Sequence, residues 1–589
     1  MNKLYFGNNL PVLAQHVESA SVDLVYLDPP FNSKAEYNVL YETPANQRET
    51  AQRSVFNDSW HWEEEAQACF EYVVAHGGAS AAILNALRSA LGRSDTMAYL
   101  AMMSARLLEI RRVLKPTGSL YLHCDPTASH YLKIILDAIY GPKNFRNEVV
   151  WKRTGAHGRA KRWGPIHDVL LFYTMSDKYT WNRTYQEYED AYLDGHYNKK
   201  DKRGVFQDIS LTGPGRRIDA SSGAPWRDTD PTSGGRHWEL PPDRALPEWF
   251  VFPQGYAQMN VQDRLDVLDD AELIYWPPRG KVPRFKRYLA VGKGTPIQDI
   301  ITDIPPVNAA SNERIGFPTQ KPVPLLRRII EASSNAGDVV LDPFCGCGTT
   351  IHAAAQMNRN WVGIDVSYYG IRLIDRRVKA NFGPKYPLEI TGIPADLASA
   401  EALGDTAPYG FQQWAVDELG CQMWNDGKKG ADGGIDGEMW FFAGPGSPGR
   451  LLVQVKAGRK TTVAPVREFR RVLDREQAQM GVFVTRSNPT AEMRQEAADA
   501  GVFKIGSATY QRLTLVSMEA WFAGQRPRLP TPIPLQIPQD RTKAKVPKRA
   551  DPRQPHFAFV FHGNPVSVSD GQVLNPALLP AESLKTGAA

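Results

Sequence analysis

Two short stretches hold residues whose types and spacing can do chemistry. The first is Asp338-Val-Val-Leu-Asp342-Pro343-Phe344-Cys-Gly346-Cys-Gly348-Thr349, followed by Trp361-Val-Gly-Ile-Asp365. Val339, Val340 and Leu341 form an apolar run that reads as a buried strand ending at Asp342. Gly346 and Gly348 break the turn behind it, and Thr349 opens a helix. Glycines after a strand let the backbone approach a ligand closely at a helix N-terminus. A second strand then ends in Asp365, about 20 residues beyond the glycines, where a carboxylate can grip ribose hydroxyls. Alone, this pattern describes a generic nucleotide pocket, and similar turns occur in purely structural α/β units.

The second stretch lies far upstream. Asp23-Leu-Val-Tyr-Leu is an apolar strand that ends at Asp28-Pro29-Pro30-Phe31. Two prolines remove two amide donors and fix φ, so the turn presents only carbonyl and carboxylate acceptors. An exocyclic base amine is a poor nucleophile because its lone pair is delocalised into the ring. Asp28 and the Pro29 carbonyl can accept its two hydrogens and localise that lone pair as it attacks a methyl group. Phe31 can stack on the base once it is flipped from the duplex. A Pro-Pro turn ending a buried strand is the plainer reading of this motif by itself, but the two motifs together are specific.

The pair resembles the permuted, beta-type group of S-adenosylmethionine-dependent DNA amino-methyltransferases, in which the catalytic tetrapeptide precedes the cofactor-binding glycines. The likeness runs through roughly the first 380 residues apart from a variable middle. It implies a Rossmann-like, doubly wound α/β sheet with an inserted target-recognition region. It also implies that Asp342, Pro343, Phe344, Gly346, Gly348 and Thr349 bind S-adenosylmethionine, with Asp365 on its ribose. Thr319-Gln320-Lys321-Pro322 matches a signature that in this family precedes the cofactor strand and helps to bind the methionine part. Relatives carry an Asp at the position of Asn8, where it helps to hold the cofactor adenine; Asn8 keeps an acceptor oxygen and loses the charge. Adenine N6 is preferred over cytosine N4 as the target, because cytosine-N4 relatives more often have Ser where this chain has Asp28.

The elements that must position these groups span a chain of 589 residues, too long for one core. Apolar residues make up 42% and no long uninterrupted apolar stretch occurs, so neither a membrane span nor a secretory signal is expected. The five cysteines, Cys69, Cys124, Cys345, Cys347 and Cys421, are few and scattered, which suits a reducing cytoplasm. Cys345 and Cys347 have no second Cys/His pair nearby and do not read as a zinc site. Net charge is only +5, so the distribution of charge matters more than its sum. Lys152, Arg153, Arg159, Lys161 and Arg162 cluster with Trp151, His157 and Trp163. Arg279, Lys281, Arg284, Lys286 and Arg287 surround Trp276 and Phe285. Such interleaving suits double-stranded DNA and unstacked bases, or simply a solvated surface.

In order, residues 1–180 hold the Asp28 strand, a poorly periodic stretch over 38–95, and a broad apolar helix from Met97 to Leu114. The aromatic run from Phe56 to Trp62 reads as packing within that stretch rather than as a lid over the base. Ser119-Leu-Tyr-Leu-His-Cys is a strand, 131–140 a helix, and Val149-Val-Trp and 168–173 further strands. This alternation argues for a parallel sheet. Residues 181–310 turn rich in Gly, Pro, Arg, Trp and Asp; the family places target recognition here, and arginines, Asn and Gln can read base edges. Residues 311–384 close the methyltransferase, and 385–405 read as a linker.

Residues 406–525 carry a different pattern. Phe411-Gln-Gln-Trp-Ala-Val-Asp-Glu-Leu reads as a helix. Gly430-Ala-Asp-Gly-Gly-Ile-Asp436-Gly precedes the strand Leu451-Leu-Val-Gln454-Val-Lys456, where alternation puts Gln454 and Lys456 on one face. An acid at one strand end and such a pair on the next can hold Mg²⁺ at Asp436 and activate water for phosphodiester hydrolysis. The segment resembles the Mrr-like branch of the PD-(D/E)xK nucleases, a C-terminal α/β restriction endonuclease-like domain, in which Gln at the position of Gln454 is common. The general nuclease pattern has Glu or Asp at that position, and Glu418, from the preceding helix, is a candidate to supply the missing acid. Residues 526–589 form a basic, proline-rich tail.

These readings converge on a site-specific DNA adenine methyltransferase with a fused Mg²⁺-dependent endonuclease, serving restriction–modification or phage–host conflict. Cytosine-N4 methylation, cleavage as the main task, and a DNA-binding protein with both sites silent stay open. So does whether a second copy or a separate restriction subunit takes part.

Overall fold

The computed structural model describes residues 2–30, 36–41, 51–57, 61–155, 163–218, 220–278, 282–308, 311, 313–315, 317, 319–424, 434–444 and 447–532, with strand fragments at 560–561, 564–565, 568–569 and 572–573. The chain divides into two compact units, one of Met1–Thr184 with Gln298–Ala544, the other of Tyr185–Ile297 with Lys545–Ala589.

A nine-stranded sheet centres the first unit. Its strands lie in the order Ile300–Ile301, Phe145–Lys152, His167–Thr174, Leu114–Cys124, Val22–Leu27, Val339–Asp342, Asn360–Asp365, Asn2–Phe6 and Leu388–Thr391. Every neighbouring pair is parallel except those made by His167–Thr174, which runs antiparallel to both neighbours. The sheet is therefore mixed rather than purely parallel. An antiparallel strand can follow its neighbour without a crossover helix, and a rhythm of apolar runs does not reveal strand direction.

The central strands are buried on both faces, as an α/β sheet requires. Leu24 and Tyr26 enter one apolar cluster with Leu325, Ile329 and Ile351; Val25 and Leu27 enter the other with Leu100, Met103 and Leu107. The helix predicted from Met97 spans Asp95–Val113, and Ser94 caps it by accepting from Met97 N. The poorly periodic stretch before it holds two further helices, Glu64–His76 and Gly78–Leu91. Gly77 and Gly78, both at positive φ, make the corner between them. Trp62 packs on Phe70 with the Arg88 guanidinium 3.8 Å from its ring centre, so the described end of that aromatic run is packing.

The stretch read as a linker over 385–405 is built into the fold. Leu388–Thr391 pairs with Asn2–Phe6 as the sheet's last strand. Asp396 and Ser399 form a capping box that starts the helix Leu397–Thr406. Arg486 reaches that helix from the C-terminal domain, donating to Asp405 Oδ1 at 2.7 Å and to the Glu401 carbonyl at 3.0 Å. The C-terminal domain itself is a five-stranded sheet in which Ser447–Lys456 pairs antiparallel with Gly437–Gly444 and parallel with Met480–Thr485. Its helix Val463–Arg475 buries Val466, Phe469, Val472 and Leu473.

The second unit holds a four-stranded antiparallel sheet, including Gly204–Ser210 and Arg284–Tyr288, and the helix Val261–Asp270. An aromatic cluster containing Trp226, Trp238, Phe250, Tyr256 and Phe285 fills it. Many short strands and aromatic packing explain why no long period is visible in its sequence. Among the described residues no helix is long and apolar enough to cross a membrane.

Candidate active site

Val22–Leu27 and Val339–Asp342 are neighbours in the sheet, with Leu24 beside Val340 and Val25 beside Leu341. Both run the same way, so Asp28 and Asp342 emerge side by side at the carboxyl ends of their strands. Ligands of open α/β sheets bind at that edge. Asn360–Asp365 lies on the other side of Val339–Asp342 and brings Asp365 to the same edge. Chain segments about 300 residues apart in sequence thus supply one row of three carboxylates.

The glycine turn is fixed by this row. Gly346 N donates to Asp365 Oδ2 at 2.6 Å, Ser367 N donates to Asp365 Oδ1 at 2.7 Å, and Phe344 N donates to Asp342 Oδ1 at 3.0 Å. Gly346 and Gly348 both have positive φ, at 50° and 76°. A side chain at Gly348 would meet Ile374 within 2.5 Å. Thr349 then begins the helix Thr349–Gln356. The Pro343 carbonyl accepts from Asn9 Nδ2 at 2.8 Å, which ties the turn to the helix Asn9–His16. Cys345 and Cys347 are buried within this turn, and burial pushes both thiols up.

Burial pushes the Asp342 carboxyl up to about 7; hydrogen bonds from Thr350 and Phe344 N oppose this, while the charges of Asp28 and Asp365 add to it. Burial likewise pushes Asp365 up to about 6 against its two backbone N–H donors. An edge that resists holding more negative charge favours a cationic ligand.

Lys321 answers part of that charge. Its Nζ lies 2.7 Å from Oδ1 and 2.6 Å from Oδ2 of Asp28, and both side chains are largely buried. The resemblance places the signature containing Lys321 beside the methionine part of a cofactor; in the structure its ammonium sits on the Asp28 carboxylate. Gln320 is used differently again: its amide donates to the Glu313 carbonyl at 2.6 Å and accepts from Ile315 N at 3.0 Å, stapling the turn that precedes it. Pro322 caps the helix Val323–Ser333, and Thr319 is half-buried in front of it. Pro29 is buried and Pro30 half-buried, while Phe31 lies outside the described residues.

Beneath Asp28, Tyr26, His123 and Asp168 form a buried row across three strands. The Tyr26 hydroxyl is 2.8 Å from His123 Nδ1, and His123 Nε2 is 3.1 Å from Asp168 Oδ2. Burial raises the Asp168 carboxyl, but the His123 hydrogen bond and the charges of His123, Arg153 and Lys321 outweigh it, leaving the group below its ordinary value. Nothing in the sequence beyond a histidine inside an apolar strand pointed to this row.

Asn8 is engaged by neighbouring protein groups. Its side-chain oxygen accepts from Leu10 N at 3.1 Å and from Arg106 Nη2 at 3.1 Å, which occupies both lone pairs. Its amide donates to Glu65 Oε1 at 3.0 Å, so a carboxylate stands beside Asn8 after all. Glu65 comes from a helix in the poorly periodic stretch and carried no sequence signal. Gly370 did carry one, as a glycine inside a helix. A Cβ there would lie 2.6 Å from the Gly346 carbonyl oxygen.

A family model described as DNA methylase matches residues 22–376. The chain belongs to the N6/N4 DNA methylase family. Type II methyltransferase M.EcaI of Enterobacter cloacae is 30% identical over 315 residues, covering 53% of this chain and 65% of that one. The StyLTI Mod subunit of a type III restriction-modification enzyme from Salmonella typhimurium is 25% identical over 372 residues, covering 61% and 50%. This chain therefore spans less than two-thirds of either relative. The solved structure of the PvuII DNA methyltransferase (cytosine-N4-specific) is 12% identical with a TM-score of 0.30, covering 64% of this chain and 86% of its own. A likeness that slight carries no further argument.

The family member is fused to a second domain, since residues 407–515 match a restriction endonuclease family of the Mrr type. There Asp436 precedes its strand, and Val455 N donates to Asp436 Oδ2 at 2.6 Å. Gln454 is buried with no partner for its Oε1 among the described residues, Lys456 is half-buried, and Val453 and Val455 face the opposite cluster. Glu418 does not join them; its Oε1 accepts from the Tyr368 hydroxyl of the methylase domain at 2.7 Å. Among the described residues no three His, Cys, Asp or Glu side chains gather to hold a metal; Asp436 and the Gln454 amide supply the oxygen donors described at this strand pair.

The two basic–aromatic clusters lie only partly within the described residues. Trp151 is buried and donates to the Ile304 carbonyl at 2.9 Å, whereas Trp163 is 98% exposed. Phe285 is buried, Arg284 pairs with Asp208, and Lys286 pairs with Asp201. Arg159, Lys161, Arg162, His157, Arg279 and Lys281 lie outside the described residues.

Proposed function

We propose that this chain methylates N6 of adenine at a specific site in double-stranded DNA, with S-adenosylmethionine as donor, in a restriction–modification setting. The observation that carries the reading is the meeting of Asp28 and Asp342 at adjacent strand ends. The donor set suits that cofactor. A cationic sulfonium and ammonium match the carboxylate row, the positive-φ glycines admit close backbone approach, and each Asp365 oxygen keeps a lone pair for a ribose hydroxyl. Glu65 offers the carboxylate that Asn8 lacks. When bound, the cofactor supplies an electrophilic methyl group.

The chain's own residues do the rest. Asp28 and the Pro29 carbonyl accept the two amine hydrogens, turn the nitrogen lone pair out of the ring and hold the proton that the nitrogen must release. Phe31 stacks on the flipped base. Lys321 keeps the Asp28 carboxylate oriented.

Two expected outcomes follow from the cofactor pocket. Ribose hydroxyls bind the ionised form of Asp365, whose carboxyl is pushed up to about 6. Calorimetric affinity for S-adenosylmethionine is therefore full above about pH 7, where Asp342 is ionised as well, and falls as pH drops through 7 and then 6; affinity flat from pH 8 to 5 would exclude Asp365 as the ribose ligand. Gly370→Ala forces the Gly346 carbonyl away. Overpacking costs about 1–3 kcal/mol, offset by about 1 kcal/mol of helix propensity, so stability falls by up to about 2 kcal/mol while cofactor affinity drops. Unchanged affinity would show that the turn does not touch the cofactor.

For the C-terminal domain we infer Mg²⁺-dependent cleavage centred on Asp436, with Gln454 and Lys456 on the same strand face. Asp436→Ala should abolish cutting of unmethylated DNA in Mg²⁺; a variant that cuts as well as wild type removes the assignment.

The main reading is tested by expressing the chain in a methylation-free host and mapping modified bases by single-molecule sequencing. N6-methyladenine at one recurring sequence supports it. N4-methylcytosine would overturn the base, and an unmodified genome would overturn the activity in that host.

A further inference from the structure

We propose that Lys321 reads the target base directly, by donating to the ring nitrogen beside the amine that Asp28 accepts. This rests on the methyltransferase reading of the Asp28 site and extends it to base selection.

In the structure the Lys321 ammonium bridges both oxygens of Asp28, at 2.7 and 2.6 Å, with 11% and 16% of the two side chains exposed. An ion pair so withdrawn from water loses affinity for anything that enters unless each broken hydrogen bond is replaced. An arriving amine N–H must take a lone pair on Asp28, and the Lys321 N–H that it displaces needs a new acceptor close by. Adenine places N1 directly beside N6, and cytosine places N3 directly beside N4. The exchange is then balanced: the amine N–H goes to Asp28 and the displaced Lys321 N–H goes to the ring nitrogen. At the corresponding position guanine presents O6 beside a protonated N1, and thymine O4 beside a protonated N3. Either one would leave Asp28 facing an oxygen and Lys321 facing an N–H, two repulsive contacts in a dry site.

The pair therefore selects an amine next to an unprotonated ring nitrogen, a property that adenine and cytosine share. It gives this contact no means of choosing between those two. That choice falls to ring size and to the stacking surfaces around the base.

The position of Lys321 supports a rigid reader rather than a mobile side chain. Pro322 follows it, the helix Val323–Ser333 starts at once, and Glu313 Oε2 accepts from Val323 N at 3.0 Å. Gln320 fastens the turn on the other side. The backbone that carries Lys321 is thus anchored before and after it.

The test is a cycle of two enzymes on two substrates. Wild type and Lys321→Met are assayed for kcat/KM on one duplex carrying the target adenine and on the same duplex carrying 1-deazaadenine, in which N1 is replaced by C–H. Wild type should lose about 10–100-fold on the analogue, the worth of a charge-assisted hydrogen bond. Lys321→Met should be slowed on adenine and then be indifferent to the analogue within about twofold, the limit of additivity for uncoupled sites. Lys321→Arg keeps a charged N–H donor and should keep the sensitivity. Losses that multiply independently in Lys321→Met, or a wild type indifferent to 1-deazaadenine, would overturn the proposal. If Lys321→Met does not fold, the wild-type and Lys321→Arg arms decide alone. Should the target prove to be cytosine, the cycle runs with 3-deazacytosine. Absence of any methylated product from wild type on natural DNA would instead overturn the reading on which this inference rests.

Discussion

Asp28→Ala should lower the rate of methyl transfer by about 10³-fold or more while leaving S-adenosylmethionine binding nearly intact. Losing one preorganised polar partner of a reacting group costs about 10²–10³ in kcat. Here the loss is compounded, because removing Asp28 leaves the Lys321 ammonium, 2.6 Å away and largely buried, facing the amine. A cation at that position repels the positive charge that grows on nitrogen as its fourth bond forms. The expected signature is a collapse of kcat in single-turnover assays, with cofactor affinity unchanged within a few-fold by calorimetry. Asp28→Asn should be intermediate, since its oxygen still accepts one hydrogen. A cofactor affinity that falls along with the rate would mean that Asp28 belongs to the cofactor pocket instead.

Asp342→Asn should do the reverse to stability of what most substitutions do. The Asp342 carboxyl is pushed from 3.8 to about 7 in the folded chain, so the native state holds a proton that the unfolded chain gives up. Stability consequently falls as pH rises from about 4, and the penalty is complete above about pH 7. Its upper bound is about 4 kcal/mol, from the size of the shift. Asparagine keeps the acceptor for Phe344 N without the charge. The variant should melt several degrees higher than wild type at pH 8, with the difference shrinking to nothing near pH 4, and it should bind S-adenosylmethionine far more weakly. Equal melting at pH 8 would mean that Asp342 is not strained by burial. Stability given up at one buried acid is what a site kept for a cationic ligand predicts.

Much of this site was legible in the sequence because its elements are short apolar runs that stop at an acid. Val339-Val-Leu-Asp342 and Asp23-Leu-Val-Tyr-Leu-Asp28 announce their strand ends, and a parallel sheet leaves few places to put them. Their adjacency could not be read locally, since about 300 residues separate them. The same limit hid Lys321 on Asp28, Glu65 beside Asn8, and Tyr26 on His123. Each is a contact between distant segments that leaves no periodic mark. Strand direction was misjudged at His167–Thr174 because an apolar strand reads alike both ways. The linker over 385–405 was misread because a four-residue edge strand and a helix with few large apolar residues resemble loop composition. Glu418 faced its true partner, Tyr368, only once the two domains were folded against each other.

The most direct test of the central claim is transfer of label from methyl-labelled S-adenosylmethionine to mixed-sequence duplex DNA, with the product digested to nucleosides and identified by mass. The account predicts N6-methyladenine from wild type and none from Asp28→Ala. Label in N4-methylcytosine would contradict the choice of base, and N6-methyladenine that persists in Asp28→Ala would contradict the catalytic centre.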